Sequence, residues 1–337
     1  MKPAPTARIY RGTPRQLAAL ARRLQAGELV AVPTETVYGL AADAGNARAC
    51  RQIFVAKGRP ANDPLIVHIH SLAQLEGLAI GNAAARRLAA AFWPGPLTLI
   101  LPKRAGVPDV VTSGRPSVAV RMPAHPLFRR LLKLVGRPLA APSANPFGYV
   151  SPTTAAHVQS GLGRRIRHIL DGGPCRIGLE STIVDLRDPR SPRLLRPGEI
   201  TRAQLAEALG GPVRGPLRRP AKSSSRQIAP GQLARHYSPR TPLTLHAKLT
   251  PAMVARGGPR EAWIFLRRPA GRRDARVFAL DPRGRLPGAA RRLFALLRQL
   301  DSAGFTTLHA ELAPAAGLGA AINDRLRRAA NWTKAAS

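Results

Sequence analysis

PLTLILPKRAGVPDVVTSGRPSVAVRMP, residues 96–123, holds two apolar strand patterns, 96–102 and 116–123, joined only by a connection punctuated with Gly and Pro. Strands that follow one another directly cannot all be linked by helical crossovers, so the sheet is expected to be mixed and twisted rather than purely parallel. Working towards the N-terminus, NAAARRLAAAFWPG and SLAQLEGL read as helices, PLIVHI as a strand, NARACRQIFVAKG as a helix and ELVAVPTE as a strand giving way to a polar loop. Thr13 as N-cap, Pro14 at the first helical position, apolar residues three and four apart and Gly27 as the stop predict a further helix. Towards the C-terminus come helix HPLFRRLLKLVG, strand PLAAPSA, a helix near TTAAHVQSGL, strands RHILDG, STIVDLR and RLLRP, and helix TRAQLAEALG. Residues 211–240 shift to Pro, Gly, Ser and Arg without periodicity and read as a linker. Beyond it EAWIFL, ARVFAL and TTLHAEL are strand patterns and AARRLFALLRQLDSAG and LGAAINDRLRRAAN helical ones. The expected organisation is an α/β domain over 1–210, the linker at 211–240 and a smaller α/β domain over 241–337.

At 337 residues with 45% hydrophobic content, the chain can bury a substantial core, which excludes wholesale disorder. No apolar run is long enough for a membrane span and MKPAPTARIYRGTP lacks a signal-peptide core, so a soluble, cytoplasmic protein without membrane association is expected. Cys50 and Cys175 form neither a C-x-x-C pair nor a disulfide framework, so no protein-bound metal is expected. Charge is extreme, with 53 Lys and Arg against 18 Asp and Glu, a formal +35. Residues 241–337 carry 17 basic and 6 acidic side chains and residues 1–240 carry 36 and 12, so the excess is evenly spread. Only seven of the 53 are Lys. Even spread with abundant Arg and Ala reads as compositional bias rather than a dedicated nucleic-acid face, although affinity for polyanions at low salt is expected either way.

Neither G-x-x-x-x-G-K-[ST] nor G-x-G-x-x-G occurs, so a bound nucleotide would be held without a glycine cradle. Also absent are G-x-S-x-G and H-E-x-x-H. What recurs instead is polar residues at strand ends, enclosed by Pro or Gly, in PTETVYGLAADA, AKGRPANDPLIVHI, WPGPLTLIL, PSVAVRMPAHP, PLAAPSAN, GLESTIVDL and LLRPGE. Such placement directs side chains into a shared crevice. Lys57 and Arg59 suit phosphate oxygens, or else satisfy a solvated helix C-terminus. Arg121 follows the apolar strand SVAV and suits a carboxylate, or else an internal salt bridge. Ser143 and Asn145 offer a hydroxyl and an amide, or else turn chemistry. His68 reads as a core histidine as readily as a base, and Glu180 with Ser181 as the start of a strand as readily as a polar pair.

Taken in order, PTETVYGL, the K-x-R before a Pro-rich turn and PLIVHI, WPGPLT, VAVRMPAHP, APSAN with SPT, DGG, ESTI and LLRPG resemble the threonylcarbamoyl-AMP synthase family, with its YrdC-like fold. APGQLARHYSP in the linker and the terminal GLGAAINDRLRRAA resemble its long form with a C-terminal extension, so the resemblance covers nearly the whole chain. It implies that L-threonine, bicarbonate and ATP, the last with Mg2+, give threonylcarbamoyl-adenylate and pyrophosphate for modification of tRNA, with tRNA or tRNA-modification proteins as partners. It further implies that Thr36, His68, Arg121, Ala141 and Ser181 line the threonine pocket. The nucleotide would be surrounded by Arg59, Asp63, Ser117, Ser143, Asn145, Ser151 and Arg196, with Lys57 and Arg59 doing the electrostatic catalysis. Arg235, His236 and Tyr237 match the linker signature. Two departures stand out: Asp63 occupies a position where many members carry an amide, and Leu233 and Ala234 replace basic and aromatic linker residues. Rival readings are a non-catalytic double-stranded RNA or tRNA binder and a carbamoyl transferase. Scarce aromatic residues, 4%, weigh against the first and the cysteine count against the second.

Overall fold

The computed structural model describes residues 6–215, 237–270 and 274–330. Fourteen strands among these residues form two sheets. The larger contains β1 (Arg8–Tyr10), β2 (Val30–Val32), β3 (Gly39–Asp43), β4 (Ile66–His68), β5 (Leu97–Pro102), β6 (Ser117–Arg121), β7 (Leu139–Ala140), β8 (His168–Leu170), β9 (Thr182–Asp185) and β10 (Arg193–Arg196). Their order is β1-β8-β2-β3-β7-β4-β6-β5-β9-β10. β5 and β6 are antiparallel neighbours, while β4 with β6 and β5 with β9 are parallel. The sheet is therefore mixed, as the consecutive strand patterns require. Its connection 103–116 also holds a short helix, Asp109–Thr112, too brief to leave a periodic signature.

Helix Pro14–Gln25, capped by the Thr13 side chain, and helix Pro126–Val135 pack Leu17, Leu20, Leu24, Phe128, Leu131 and Leu132 on one face of the sheet around β2, β3 and β7. On the opposite face, helices Ala47–Lys57, Ala83–Phe92 and Arg202–Leu209 bury Ile53, Leu88 and Leu205 against Val67, Leu97, Leu99, Leu101, Val118 and Val120. Strand alternation sends the intervening residues the other way. There Ile66, Ile100, Ala119, Ile183 and Leu195 form a separate cluster built of strand residues alone. In phase with them stand His68, Thr98, Ser117, Arg121 and Ser181; helix Pro126–Val135 reaches this face as far as His68, whose ring lies 5.5 Å from that of Phe128, and His68, Arg121 and Ser181 border a hollow beside it.

The smaller sheet is all parallel, in the order β11 (Leu243–His246), β14 (Thr307–Glu311), β12 (Glu261–Arg267), β13 (Val277–Asp281). Helices Leu286–Asp301 and Leu318–Ala330 cover it through Leu293, Phe294, Leu297, Ile322 and Leu326. Helix Leu286–Asp301 also lies on the larger part of the chain. Gly178 has φ +80°, and a Cβ there would come within 2.5 Å of the Arg291 Cα. Arg298 donates to the carbonyls of Val150, at 2.6 Å, and Ser151, and the Tyr149 hydroxyl donates to Asp301 Oδ2 at 2.7 Å. β1, β3, β11 and helix Pro251–Arg256 have no counterpart in the sequence reading. β3 is GLAAD, small residues buried throughout, which carry no alternation to detect. No helix among the described residues is long and apolar enough to cross a membrane.

Candidate active site

Arg121 ends β6 directly opposite His68 on β4 in the parallel register, and it is 3% exposed. Its Nη2 lies 2.7 Å from Glu35 Oε1, its Nη1 donates to Thr36 Oγ1 at 3.0 Å and its Nε to the Gly95 carbonyl at 3.2 Å. The internal salt bridge open at the sequence level therefore exists. A guanidinium carries five N–H groups, however, and three partners leave capacity for a further carboxylate. Glu35 was not singled out from the sequence; the signal was its place as the only acid in PTET, next to the loop that meets Arg121. Burial, the largest influence on Glu35, pushes its pKa up, but the charge and hydrogen bond of Arg121 bring it below the ordinary carboxylate value. The PTET loop is held by Thr34, whose Oγ1 lies 2.7 Å from Thr36 Oγ1 and donates to the Val37 carbonyl. Burial, reinforced by Arg121, drives the His68 pKa down to about 3, so the imidazole is neutral at physiological pH. Its Nδ1 is buried without a hydrogen-bond partner.

Arg59 follows Gly58, which ends helix Ala47–Lys57 in the left-handed conformation and turns the chain back under the sheet. Arg59 is not solvated: it pairs with Asp63 Oδ2 at 2.9 Å and donates to the Asp63 and Pro64 carbonyls. Lys57 is likewise buried, its ammonium bonded at 2.5 Å to the carbonyls of both Ser143 and Asn145. The reading of these two as a solvated helix terminus is thus overturned, because Lys57 is buried against the carbonyls of the PSAN loop and Arg59, past the C-cap glycine, against Asp63 and Pro64. Burial, followed by the neighbouring Arg59, lowers the Lys57 pKa well below its ordinary value, and burial raises that of Asp63. Asn145 Nδ2 donates to the Pro146 and Tyr149 carbonyls, which is turn chemistry, while its Oδ1 is buried without a hydrogen bond. Ser117 Oγ and Asp63 Oδ1 are similarly buried and unsatisfied. Orphaned polar atoms of this kind call for a ligand or water.

A third wall comes from β9 and β10. Arg196 donates through Nε to the Ser181 carbonyl and through Nη2 to Ser181 Oγ, each at 3.0 Å, and Ser181 Oγ lies 2.7 Å from Thr98 Oγ1. Ser151 Oγ donates to Glu180 Oε1 at 2.5 Å. Tyr237, fully buried at φ +63°, closes this side against Arg196.

These walls line one cavity that opens to solvent. Thr36, His68, Arg121, Ala141 and Ser181, the five residues expected around threonine, all line it, together with Arg59, Ser143, Arg196 and Tyr237. Lys57, Asp63, Asn145 and Ser151 stand behind the wall, each bonded to a residue or loop that forms it. Ser117 lies at the other end of β6 from Arg121. Arg235 and His236 fall outside the described residues. Of the charged side chains that line the cavity, Arg59, Arg121 and Arg196 stand against Glu180, so positive charge is in excess at a desolvated surface, an environment that selects an anionic ligand.

Residues 22–198 match the Sua5/YciO/YrdC family model, described as telomere recombination, and residues 200–331 match the C-terminal domain of threonylcarbamoyl-AMP synthase. The chain is 42% identical to the threonylcarbamoyl-AMP synthase of Pyrococcus abyssi over 92% of both chains. It is also 42% identical to that of Bacillus subtilis, over 94% of this chain and 93% of the relative. The structure superposes on that of P. abyssi Sua5 complexed with L-threonine with a TM-score of 0.87 at 41% identity, over 97% of each chain.

Proposed function

Since the chain belongs to the threonylcarbamoyl-AMP synthase family, we propose that it converts L-threonine, bicarbonate and ATP into L-threonylcarbamoyl-adenylate and pyrophosphate for the threonylcarbamoyl-adenosine modification of tRNA. The chain is an enzyme of the nucleotidyltransferase type, which sets aside the non-catalytic RNA binder. The observation that carries the reading is the convergence of Arg59, Arg121 and Arg196, from three separate segments, with Ser143 and Ser181 on one cavity. The threonine complex of the P. abyssi relative supports an amino acid as one occupant.

In this reading the substrate carboxylate takes the unused N–H groups of Arg121, with Thr36 and Ser181 beside it and Ala141 against the side chain. Neutral His68 presents an uncharged nitrogen towards the amine. The neutral amine adds to carbon dioxide with loss of a proton, or condenses with bicarbonate with loss of water, to give a carbamate, whose oxygen attacks the α-phosphorus and expels pyrophosphate. Such a displacement needs no covalent protein nucleophile; positioning and charge neutralisation supply most of the acceleration. Arg59 and Arg196 neutralise the phosphates, and Lys57 holds the Ser143 to Asn145 loop against them. Ser117, Asn145 and Asp63 border the nucleotide, where their unsatisfied buried atoms fit polar groups of the ligand or its hydration. Mg2+ brought by ATP would withdraw charge from the polyphosphate, and Asp63, through its unsatisfied Oδ1, would be the carboxylate to meet its water shell.

The domain division at 1–210, 211–240 and 241–337 is supported by the mixed sheet and its last helix ending at Leu209 and the parallel sheet starting at Leu243. Pyrophosphate release tests the reading. Release that requires both L-threonine and bicarbonate supports it, dependence on carbamoyl phosphate would indicate the transferase, and no release with any of them would overturn it.

A further inference from the structure

We propose that Arg325, carried by the C-terminal domain, is a positioning residue that completes the active site; the inference rests on the synthase reading of the cavity. Arg325 is fully buried in helix Leu318–Ala330. Its Nε donates to Glu180 Oε2 at 2.8 Å, its Nη1 to Asp324 at 2.7 Å, and its guanidinium lies 5.3 Å from the centre of the Tyr237 ring. Glu180 and Tyr237 are both cavity wall, and Glu180 directly precedes Ser181, which Arg196 grips through both its carbonyl and its hydroxyl. One side chain of the second domain therefore braces two sides of the substrate hollow.

The geometry also gives the consequence of removing it. Arg325 satisfies one oxygen of Glu180 and Ser151 the other. Without the guanidinium, a buried carboxylate is left on the same wall as Arg196, which already feels its charge, and a buried charge without its partner seeks another. Glu180 then captures Arg196, drawing it from the nucleotide. Loss of Arg325 thus acts on ATP more than on threonine, although Arg325 itself touches neither.

The test uses the full chain and pyrophosphate release at varied ATP and L-threonine. Arg325→Met should lower kcat/KM for ATP by about 10- to 100-fold, the range expected when a binding group is displaced by roughly an ångström, with a smaller change for threonine. Arg325→Met/Glu180→Gln, which removes the stranded charge, should recover part of that loss. Leu308→Ala, a core truncation in the small sheet away from the cavity, controls for lost stability and should lower the melting temperature without changing KM for ATP. Should Arg325→Met yield no folded protein, Arg325→Lys decides: it keeps a charge for Glu180 and loses the planar fork, so an intermediate kcat/KM supports the proposal and a wild-type value overturns it. Equal losses for ATP and threonine, or a KM effect matched by Leu308→Ala, also overturn it. A wild-type chain that releases no pyrophosphate refutes the synthase reading, and the inference with it; a wild type that releases it beside an unaffected Arg325→Met refutes the inference alone.

Discussion

Replacing Arg121 by Met should destabilise the folded chain by about 3–5 kcal/mol at neutral pH, the usual consequence of removing one partner of a buried ion pair. Three contacts disappear together: the 2.7 Å pair with Glu35, the hydrogen bond to Thr36 and the one to the Gly95 carbonyl. Thr36 keeps Thr34 as a neighbour, so most of the loss comes from Glu35, whose side chain is 5% exposed. In the wild type Glu35 titrates below its ordinary value of 4.5, so the pair contributes its stability above about pH 4.5 and loses it as pH falls through the folded value. With Arg121 gone, burial, the largest influence on Glu35, is opposed only by backbone hydrogen bonds from Glu35 itself and Ala124, and its pKa rises. The deficit is then full at high pH and shrinks on acidification, by at most about 1.4 kcal/mol per pH unit, as the stranded carboxylate takes up a proton. Urea denaturation of both proteins between pH 5 and 8 reads this gap directly. Arg121→Met/Glu35→Gln should regain most of the stability, yet calorimetric titration should still show no L-threonine binding. A deficit below about 1 kcal/mol, or one that grows on acidification, would refute the account, since a buried unpaired carboxylate could produce neither.

Other outcomes follow from the same contacts. Lys57→Ala or Arg59→Ala should remove about 2–4 kcal/mol of transition-state stabilisation, seen as slower pyrophosphate release, and near wild-type release would remove these two from the catalytic assignment. His68, with its pKa lowered to about 3 against an ordinary 6.5, stays neutral in the fold while the unfolded chain protonates, so stability falls with pH below about 6.5. His68→Gln should flatten that acid limb by about 2 kcal/mol at pH 5, measured as the difference between denaturation curves at pH 5 and 8. Gly178→Ala combines a left-handed backbone with a Cβ driven into Arg291, and should cost more than about 1 kcal/mol in denaturant while weakening the hold of helix Leu286–Asp301 on the loop leading to Glu180.

Local patterns told much of this story. Consecutive apolar runs at 96–102 and 116–123 implied a mixed sheet because the Gly- and Pro-punctuated connection between them carries no helical periodicity, and Thr13, Pro14 and Gly27 bounded a helix because caps and stops act within a few residues. The polar strand ends were equally legible, and all five residues expected around threonine face one cavity, since strand alternation and Pro-bounded turns dictate which side chains leave the sheet. Partnership was not legible. That Arg121 would meet Glu35, that Lys57 would be buried under the carbonyls of Ser143 and Asn145, and that Arg325 would reach Glu180 across 145 positions are long-range contacts. They depend on how two sheets and their loops pack, and residue type at one position holds no record of which distant group will share its burial.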